Sequence, residues 1–320
     1  MNQNVKVINY LEYLKHLPDD LRSYVTIGAF DGVHIGHQKL IRRTVEEARK
    51  NNAVPVVFTF KNHPLSVLAP TYAPKRISTD EARIRRFSDL GIKIVVLIQF
   101  NRAIADLNRT EFAREILATG LHTRHIVCGY NFRFAREGAG DVDFLRRIGD
   151  ELGFTVEEVK PVKIRNITVS STKIRELLTQ GMVTTASEFL GRPYTIQGKV
   201  VKGMGRGKGL SYPTANLDVP EDVLIPANGV YVIQTEIEGQ KIGGMMNIGY
   251  NPTFRPRRFS VEAHIFDFER DLVGRALEIQ FIKRLRDEVR YESTEQLVSQ
   301  LARDEKMARK FLPEDLVKSE

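Results

Sequence analysis

The first half of the chain alternates two textures. Short apolar runs bounded by turn residues, YVTIGAF (24–30), VPVVFTF (54–60), IVVLIQF (94–100) and HIVCGY (125–130), are separated by amphipathic stretches at 37–52, 79–90 and 110–119. In HQKLIRRTVEEARKNN (37–52), Leu40, Ile41, Val45 and Ala48 recur near the helical period. Continuous apolar runs suit strands covered on both faces, and parallel strands need helical crossovers. The pattern predicts an α/β domain built on a doubly wound parallel sheet, with HIVCGY as its fourth strand.

Beyond residue 190 the texture changes. YTIQGKVVKG, GVYVIQTEIEGQKIGGMMNIGY and SVEAHIFDFERDLVGRALEIQFIKRL are mixed or alternating, and Gly, Pro and Asn punctuate them. Short strands at close spacing predict a small antiparallel β-barrel. The tail STEQLVSQLARDEKMARKFL returns to helical spacing, and Ser293 or Thr294 is placed to cap it. Helical TKIRELLTQG and TTASEFLG give way to strands near 180–192, which divides the chain into domains 1–186 and 187–320. No internal repeat or low-complexity tract interrupts either part.

A chain of 320 residues suits two domains, each with its own core. The one cysteine, Cys128, excludes an internal disulfide and a cysteine metal cluster. The opening MNQNVKVINYLEYLKHLPDD lacks a basic region followed by an apolar run, so it does not read as a signal peptide. No stretch approaches the roughly 20 apolar residues that span a bilayer. A soluble cytoplasmic protein without membrane attachment is expected, with a monomer as the default.

Charge sharpens this picture. Residues 1–186 carry 28 Lys and Arg against 20 Asp and Glu, whereas residues 187–320 carry 20 of each, so the whole net charge of +8 sits in the first part. Such an excess favours an anionic ligand: nucleic acid, a nucleotide or pyrophosphate.

Two segments carry candidate chemistry. Gly28-Ala-Phe-Asp-Gly-Val-His-Ile-Gly-His37 leaves a predicted strand and enters a predicted helix. Its glycines, Gly28, Gly32 and Gly36, allow a sharp turn and close approach of a ligand. The helix terminus offers unpaired N–H groups to a phosphate. His34 and His37, three apart, share one face over that terminus and can donate hydrogen bonds as charge develops on phosphate oxygens. Further on, KGMGRGKGLSYPTANL (202–217) contains four glycines, a composition suited to a loop that wraps phosphates.

HxGH after the first strand resembles the nucleotidyltransferase superfamily, and its spelling, HIGH, also marks class I aminoacyl-tRNA synthetases. TFKNHP (59–64), GYNFRFAREGAGD (129–141) and VSSTKIR (169–175), taken with GxFDGxHxGH, decide between them. PTAN (213–216), MNIGYNPTF (246–254) and SVEAHIFDF (260–268) follow in order. Together they resemble the bacterial bifunctional riboflavin kinase/FMN adenylyltransferase family from about Tyr24 to Leu312.

The resemblance implies a nucleotidyltransferase domain followed by a barrel kinase domain with a C-terminal helix. ATP and Mg²⁺ would serve the conversion of riboflavin to FMN and of FMN to FAD. It implies His34 and His37 as catalytic groups of adenylyl transfer, with Gly28, Phe30, Asp31 and Gly36 around the nucleotide. Asn131 would face the isoalloxazine ring. VSSTKIR would be a second phosphate-binding element, with hydroxyls from Ser170, Ser171 and Thr172 and a guanidinium from Arg175. In the second domain, Gly203, Arg206 and Lys208 of the glycine-rich segment, with Thr214 and Asn216, would bind ATP. Thr214 and Asn216 would also hold Mg²⁺, whose preference is for oxygen ligands.

Glu262 matches the base that takes the proton from riboflavin's 5′-hydroxyl. Asp267 lies five residues along the same predicted strand, an odd separation that points it to the other face. The sequence departs from common family spellings at four residues, with Asn131 for Asp, Asn62 for Pro, Ser211 for Gly and Tyr212 for Phe, and the RPRRFS linker between NPTF and VEAH is shorter than in many members.

Three other readings compete. A synthetase would carry a lysine-rich second loop and a tRNA-binding appendage, where this chain has VSSTKIR and a charge-neutral second part. An RNA-binding barrel would be basic with exposed aromatics. The third reading is a chain with only one working activity. The expected partners are small molecules, with no nucleic acid.

Overall fold

In the computed structural model, residues 5–203, 212–250, 259–268, 270–313 and 316 are described. The chain forms two compact units, Met1–Ser170 and Ser171–Glu320.

The first unit is built on strands β1 (Lys6–Ile8), β2 (Ser23–Ile27), β3 (Val54–Phe60), β4 (Ile94–Ile98), β5 (Thr123–Gly129) and β6 (Thr155–Val159). They form one sheet in the order β1-β4-β3-β2-β5-β6, and every neighbouring pair is parallel. Its helices are α1 (Ile35–Lys50), α2 (Leu65–Leu68), α3 (Asp80–Asp89), α4 (Arg102–Ala105), α5 (Arg109–Glu111) and α6 (Val142–Leu152), and α5 runs into a π-helix, Phe112–Gly120.

Strand residues alternate between two cores. Val56, Phe58, Ile94 and Val96 join Phe112, Leu117, Leu145 and Ile148 on one face. Val57, Val95 and Leu97 join Ile41 of α1 and Phe87 of α3 on the other. This period of two is why the strands read as unbroken apolar runs, and it makes the sheet doubly wound, as the sequence predicts. HIVCGY is the fifth strand rather than the fourth. The edge strand β1 has only three residues, Lys-Val-Ile, too few to register as a pattern. A hairpin of β7 (Lys163–Ile164) and β8 (Ile167–Thr168) follows. Arg165 and Asn166 turn it with φ of 47° and 64°, the left-handed pair a tight hairpin uses.

The second unit opens with α7 (Ser171–Thr179) and α8 (Val183–Leu190). Strands β9 (Tyr194–Val201), β10 (Ala215–Asp218), β11 (Gly229–Ile237), β12 (Gln240–Gly249), β13 (Ser260–Ile265) and β14 (Ala276–Arg286) close into an antiparallel barrel, in the order β10-β13-β12-β11-β14-β9 with β10 returning to β9. Inside, Phe281 stacks on Tyr194 and meets Tyr231 edge-on, and all three are fully buried. Helix α9 (Thr294–Arg309) starts at Ser293, whose hydroxyl accepts from the Gln296 N–H. Ala308 of α9, together with Leu312 just beyond it, packs on Val232, Met245 and Phe266.

The compact units divide at Ser170/Ser171, whereas the change of texture falls at 186/187. Helices α7 and α8 account for the difference. The Leu178 carbonyl accepts from Ala227 N–H, the Thr184 hydroxyl bonds to the Ile282 carbonyl, and Tyr194 N–H donates to Ser187. Two helices look alike in sequence wherever they dock, so texture alone cannot assign them to the barrel.

Candidate active sites

The parallel sheet places its candidate residues at the carboxyl ends of β2, β3 and β5. Strand order reverses direction between β2 and β5, and such a switch point opens a crevice for ligands at the carboxyl edge. GAFDGVH leaves β2, FKNHP closes and follows β3, and GYNFRF closes and follows β5, so three motif segments reach one edge of the sheet.

Residues 28–34 form a strained turn held from below. Phe30, Val33 and Gly32 have φ of 48°, 40° and 78°. At Gly32 a Cβ would also come within 2.9 Å of the Ile77 side chain, so glycine is required there. Asp31 braces the turn. Its carboxylate oxygens accept from Ile77 N–H (2.9 and 3.0 Å) and Ser78 N–H (3.2 Å), and the Ser78 hydroxyl accepts from Gly32 N–H (3.0 Å). Phe30, 1% exposed, lies under His37 with its ring edge-on at 5.1 Å. Gly28 and Gly36 leave little room. A Cβ on Gly28 would press on the Phe30 ring at 3.2 Å, and one on Gly36 on the His34 ring at 3.1 Å.

His34 is the N-cap of α1, and its Nδ1 accepts from the His37 N–H at 3.2 Å. A nitrogen that accepts carries no proton, so His34 is the tautomer with its proton on Nε2, a donor. The His34 and His37 rings stack with centroids 3.5 Å apart and planes 16° from parallel. Burial, then the neighbouring His34 and Arg83, hold His37 well below its ordinary value of 6.5. At neutral pH the pair therefore presents neutral imidazoles at a helix N-terminus, as hydrogen-bond donors rather than as two cations. The sequence brings the two histidines together, and the structure adds their stacking and protonation.

Asn131 is exposed beyond β5, with its Oδ1 3.7 Å from where a Cβ on Gly129 would stand. Phe132 stacks on Phe134, and Phe134 is a core residue beside Phe112 and Phe144. Asn62 binds both backbone groups of Phe100: its Oδ1 accepts from the N–H (2.8 Å) and its Nδ2 donates to the carbonyl (3.0 Å). The amide thus clamps the end of β3 to the chain beyond β4. In VSSTKIR, Ser170 ends the first unit, and Ser171, Thr172 and Arg175 open α7 in the second.

The barrel builds its site differently. Asn216 on β10 pairs with Glu262 on β13, and Glu262 pairs with Asn247 on β12. Residues opposite each other across antiparallel strands face the same way. Asn216, Glu262 and Asn247 thus form one half-buried polar row, while Val261 and Ala263 on either side of Glu262 are buried. Asn247 gave no signal of its own in the sequence, since a strand asparagine acquires meaning only through register. Gly203 lies against this row, and a Cβ there would stand 2.1 Å from Asn216 Nδ2. Thr214 is exposed just before β10. Arg206, Lys208 and Ser211 lie outside the described residues.

His264 anchors PTAN. Its Nδ1 lies 2.8 Å from the Pro213 carbonyl, and a carbonyl can only accept, so Nδ1 carries the proton. Tyr212 meets the same imidazole edge-on at 5.1 Å.

The structure corrects the prediction for Asp267. Strand β13 ends at Ile265, and Asp267 sits in the following turn with φ of 56°, so alternation does not set its direction. Its carboxylate is forked by Arg309 of α9, with both contacts at 3.1 Å. Among the described residues no cluster of three or more His, Cys, Asp or Glu is placed to hold a metal ion.

Two family models match successive parts of the chain: FAD synthetase over residues 17–173 and riboflavin kinase over residues 190–312. The chain belongs to the bifunctional riboflavin kinase/FMN adenylyltransferase family. It is 33% identical to the protein of that name from Buchnera aphidicola over 310 residues, 96% of this chain and 98% of that one. The Bacillus subtilis protein of the same name is 33% identical over 92% of this chain and 93% of its own. A crystal structure described as a macrolide-efflux protein from Streptococcus pneumoniae superposes with a TM-score of 0.86 at 33% identity, covering 97% of this chain and 100% of that one. Among the described residues no helix is long and apolar enough to cross a membrane.

Proposed function

We propose that this chain makes FAD from riboflavin in two ATP-dependent steps. Residues 187–320 transfer the γ-phosphoryl group of ATP to the 5′-hydroxyl of riboflavin, giving FMN and ADP. Residues 1–186 transfer AMP from a second ATP to FMN, giving FAD and pyrophosphate. One observation carries this reading: both family models occur in order on one chain, over residues 17–173 and 190–312. We place the reaction in the cytoplasm.

In the kinase step Glu262 accepts the proton of the 5′-hydroxyl as that oxygen attacks phosphorus. Asn216 and Asn247 flank its carboxylate from the neighbouring strands. Asn216 offers a neutral oxygen against Gly203, where any side chain would displace its amide, and Thr214 offers a hydroxyl just before β10. That donor set suits Mg²⁺, which commonly keeps waters and bridges to substrate phosphate. When bound, Mg²⁺ would draw off charge from the phosphate oxygens. Gly203, Arg206 and Lys208 bind the nucleotide in this reading.

In adenylyl transfer the His34 Nε2–H and the His37 imidazole donate to phosphate oxygens, and the positive N-terminal end of α1 balances the rest of the charge. The braced turn with Gly28, Phe30, Asp31 and Gly36 holds that arrangement. Asn131 meets the flavin. Ser170, Ser171, Thr172 and Arg175 bind phosphate.

Incubating the full chain with riboflavin, ATP and Mg²⁺, followed by chromatography of the flavins, tests both steps. FMN and then FAD should accumulate. FMN without FAD under excess ATP would reject the adenylyl-transfer step. FAD from added FMN, with no product from riboflavin, would reject the kinase step.

A further inference from the structure

Helix α9 carries an acid where its packing stripe should be apolar. Leu301, Asp304, Ala308 and Leu312 follow one another at helical spacing, and the three apolar ones pack in the cluster with Val232 and Met245. Asp304 is only 4% exposed. Arg286, at the end of β14, forks its carboxylate: Nε lies 3.0 Å from each oxygen, and Nη2 lies 2.6 Å from Oδ2. Gln300, one turn earlier on α9, donates to Oδ1 at 2.9 Å.

Arg286 stands at the end of the polar row. Register carries Asn216 to Glu262, Glu262 to Asn247, Asn247 to Val230 of β11, and Val230 to Arg286. Opposed residues on antiparallel strands share a face. Val230 alternates with the interior Tyr231, so this is the outer face of the barrel. The next line on that face is His264, Met245, Val232 and Lys283. Ala308 and Leu312 pack on Val232 and Met245, and Lys283 Nζ lies 3.9 Å from the centroid of the Phe311 ring. Helix α9 and the residues just after it therefore cover the line directly beside the candidate kinase residues.

The seam that holds Arg286 is irregular. The β11–β14 ladder shifts register twice, between Val230 and Tyr231 and between Val232 and Ile233. Among the described residues the other ladders of the barrel show no such shift.

A buried ion pair does not by itself stabilise a fold. Desolvation offsets the attraction, and a well-packed apolar pair often serves as well or better. What a fork adds is direction. The apolar bed of Val232, Met245 and Phe266 constrains the register of α9 weakly, whereas Asp304 must be seated in one place to meet two nitrogens of Arg286.

We propose that Arg286 and Asp304 are a positioning pair for phosphoryl transfer. The pair fixes the register of α9 on the barrel and holds the irregular end of the row that carries Asn216, Glu262 and Asn247. This rests on the reading that the row is the kinase site.

The test uses the full chain with Arg286→Met and Asp304→Leu together, which replaces the pair by apolar side chains and strands no charge. Its melting temperature, riboflavin phosphorylation and FAD formation from FMN are measured, with the assays run well below the melt. Methyl NMR reads the seating of α9 from cross-peaks between the Ala308 methyl and the side chains of Val232 and Met245.

The double variant should melt near or above the parent. Its kcat for riboflavin should fall about tenfold, and the Ala308 cross-peaks should split or weaken. FAD formation from FMN should be unaffected. A merely structural pair would move the melt and leave kcat alone.

A parent-level kcat in the double variant would overturn the proposal, and so would unchanged Ala308 cross-peaks. If the double variant does not fold, Arg286→Lys decides. It keeps the charge without the fork, so kcat should fall severalfold, and a parent-level kcat overturns the proposal equally. If the parent phosphorylates no riboflavin at all, the functional reading fails separately, and the Ala308 cross-peaks still decide whether the pair seats α9.

Discussion

In the α/β unit the candidate residues lie on consecutive stretches of chain at strand ends. In the barrel they lie on three strands and meet only through register. The first arrangement uses backbone: a left-handed turn, a helix terminus, and two imidazoles whose spacing the helix dictates. The second uses a row of side chains, Asn216, Glu262 and Asn247, that come from positions far apart in the sequence. A loop site can therefore be damaged by a change in its braces, whereas a row on strands of a closed barrel is held by the whole sheet. Substitutions in the row should act on chemistry with little loss of fold.

The largest expected effect tests that contrast in the barrel. Glu262→Gln keeps size and polarity but cannot accept the hydroxyl proton, so riboflavin phosphorylation should fall by about a hundredfold or more. The melting temperature should hardly move, and FAD formation from supplied FMN should remain at the parent level. Asn247→Ala, which removes a flanking group rather than the base, should cost less, on the order of tenfold in kcat. Near-parent phosphorylation by Glu262→Gln would remove Glu262 from its role. Asp267 is then a poor substitute, because Arg309 already forks it.

The matching change in the α/β unit is His37→Ala. Removing a donor to developing phosphate charge should lower FAD formation from FMN by about a hundredfold. Here some stability should be lost as well, because the ring packs between His34 and Phe30. Riboflavin phosphorylation is the control. An equal fall in both activities would mean that His37 supports the fold rather than the chemistry.

These two sites were legible in the sequence to different depths. Gly32, His34 and His37 could be placed because a strand-to-helix turn is local. Its braces could not, since Asp31 meets Ile77 and Ser78 only after the chain has folded back. Residue 247 is one of two asparagines in MNIGYNPTF until β12 pairs with β13. The edge strand β1 was too short to see, and α7 and α8 carry no mark of the unit they join. Local chemistry and period were readable, while register and docking were not.

The docking of α7 and α8 gives the next prediction. A fragment beginning at Ser171 keeps both helices and should fold and phosphorylate riboflavin. One beginning near Thr185 matches the change of texture more closely but loses Val183, which is buried, and the Leu178 carbonyl that accepts from Ala227. Removing a buried apolar side chain and a hydrogen-bond partner should cost about 3 kcal/mol or more. The shorter fragment should therefore melt well below the longer one. Equal melting temperatures would show that the barrel stands without α7 and that the division at 186/187 is the better one.

The smallest expected effect concerns Tyr212. The ring sits edge-on to His264 and packs against the cluster under α9, which includes Phe266 and Leu312. Burial first, then the adjoining Glu305, which bonds the phenol, push its titration up. Glu305 does not depend on that hydroxyl, because Arg309 also donates to it at 2.7 and 3.0 Å. Tyr212→Phe therefore strands no charge. The site is part-exposed, so the loss should be about 1 kcal/mol at most. The contact that matters for PTAN, His264 Nδ1–H to the Pro213 carbonyl, is untouched. Riboflavin phosphorylation should stay within roughly threefold of the parent, less than the tenfold that 1.4 kcal/mol would give. A thermal melt and a kcat and KM measurement for ATP read both quantities. A tenfold fall in kcat with an unchanged melt would place the Tyr212 hydroxyl inside the kinase chemistry, and would make the barrel site depend on a loop in the way the α/β site does.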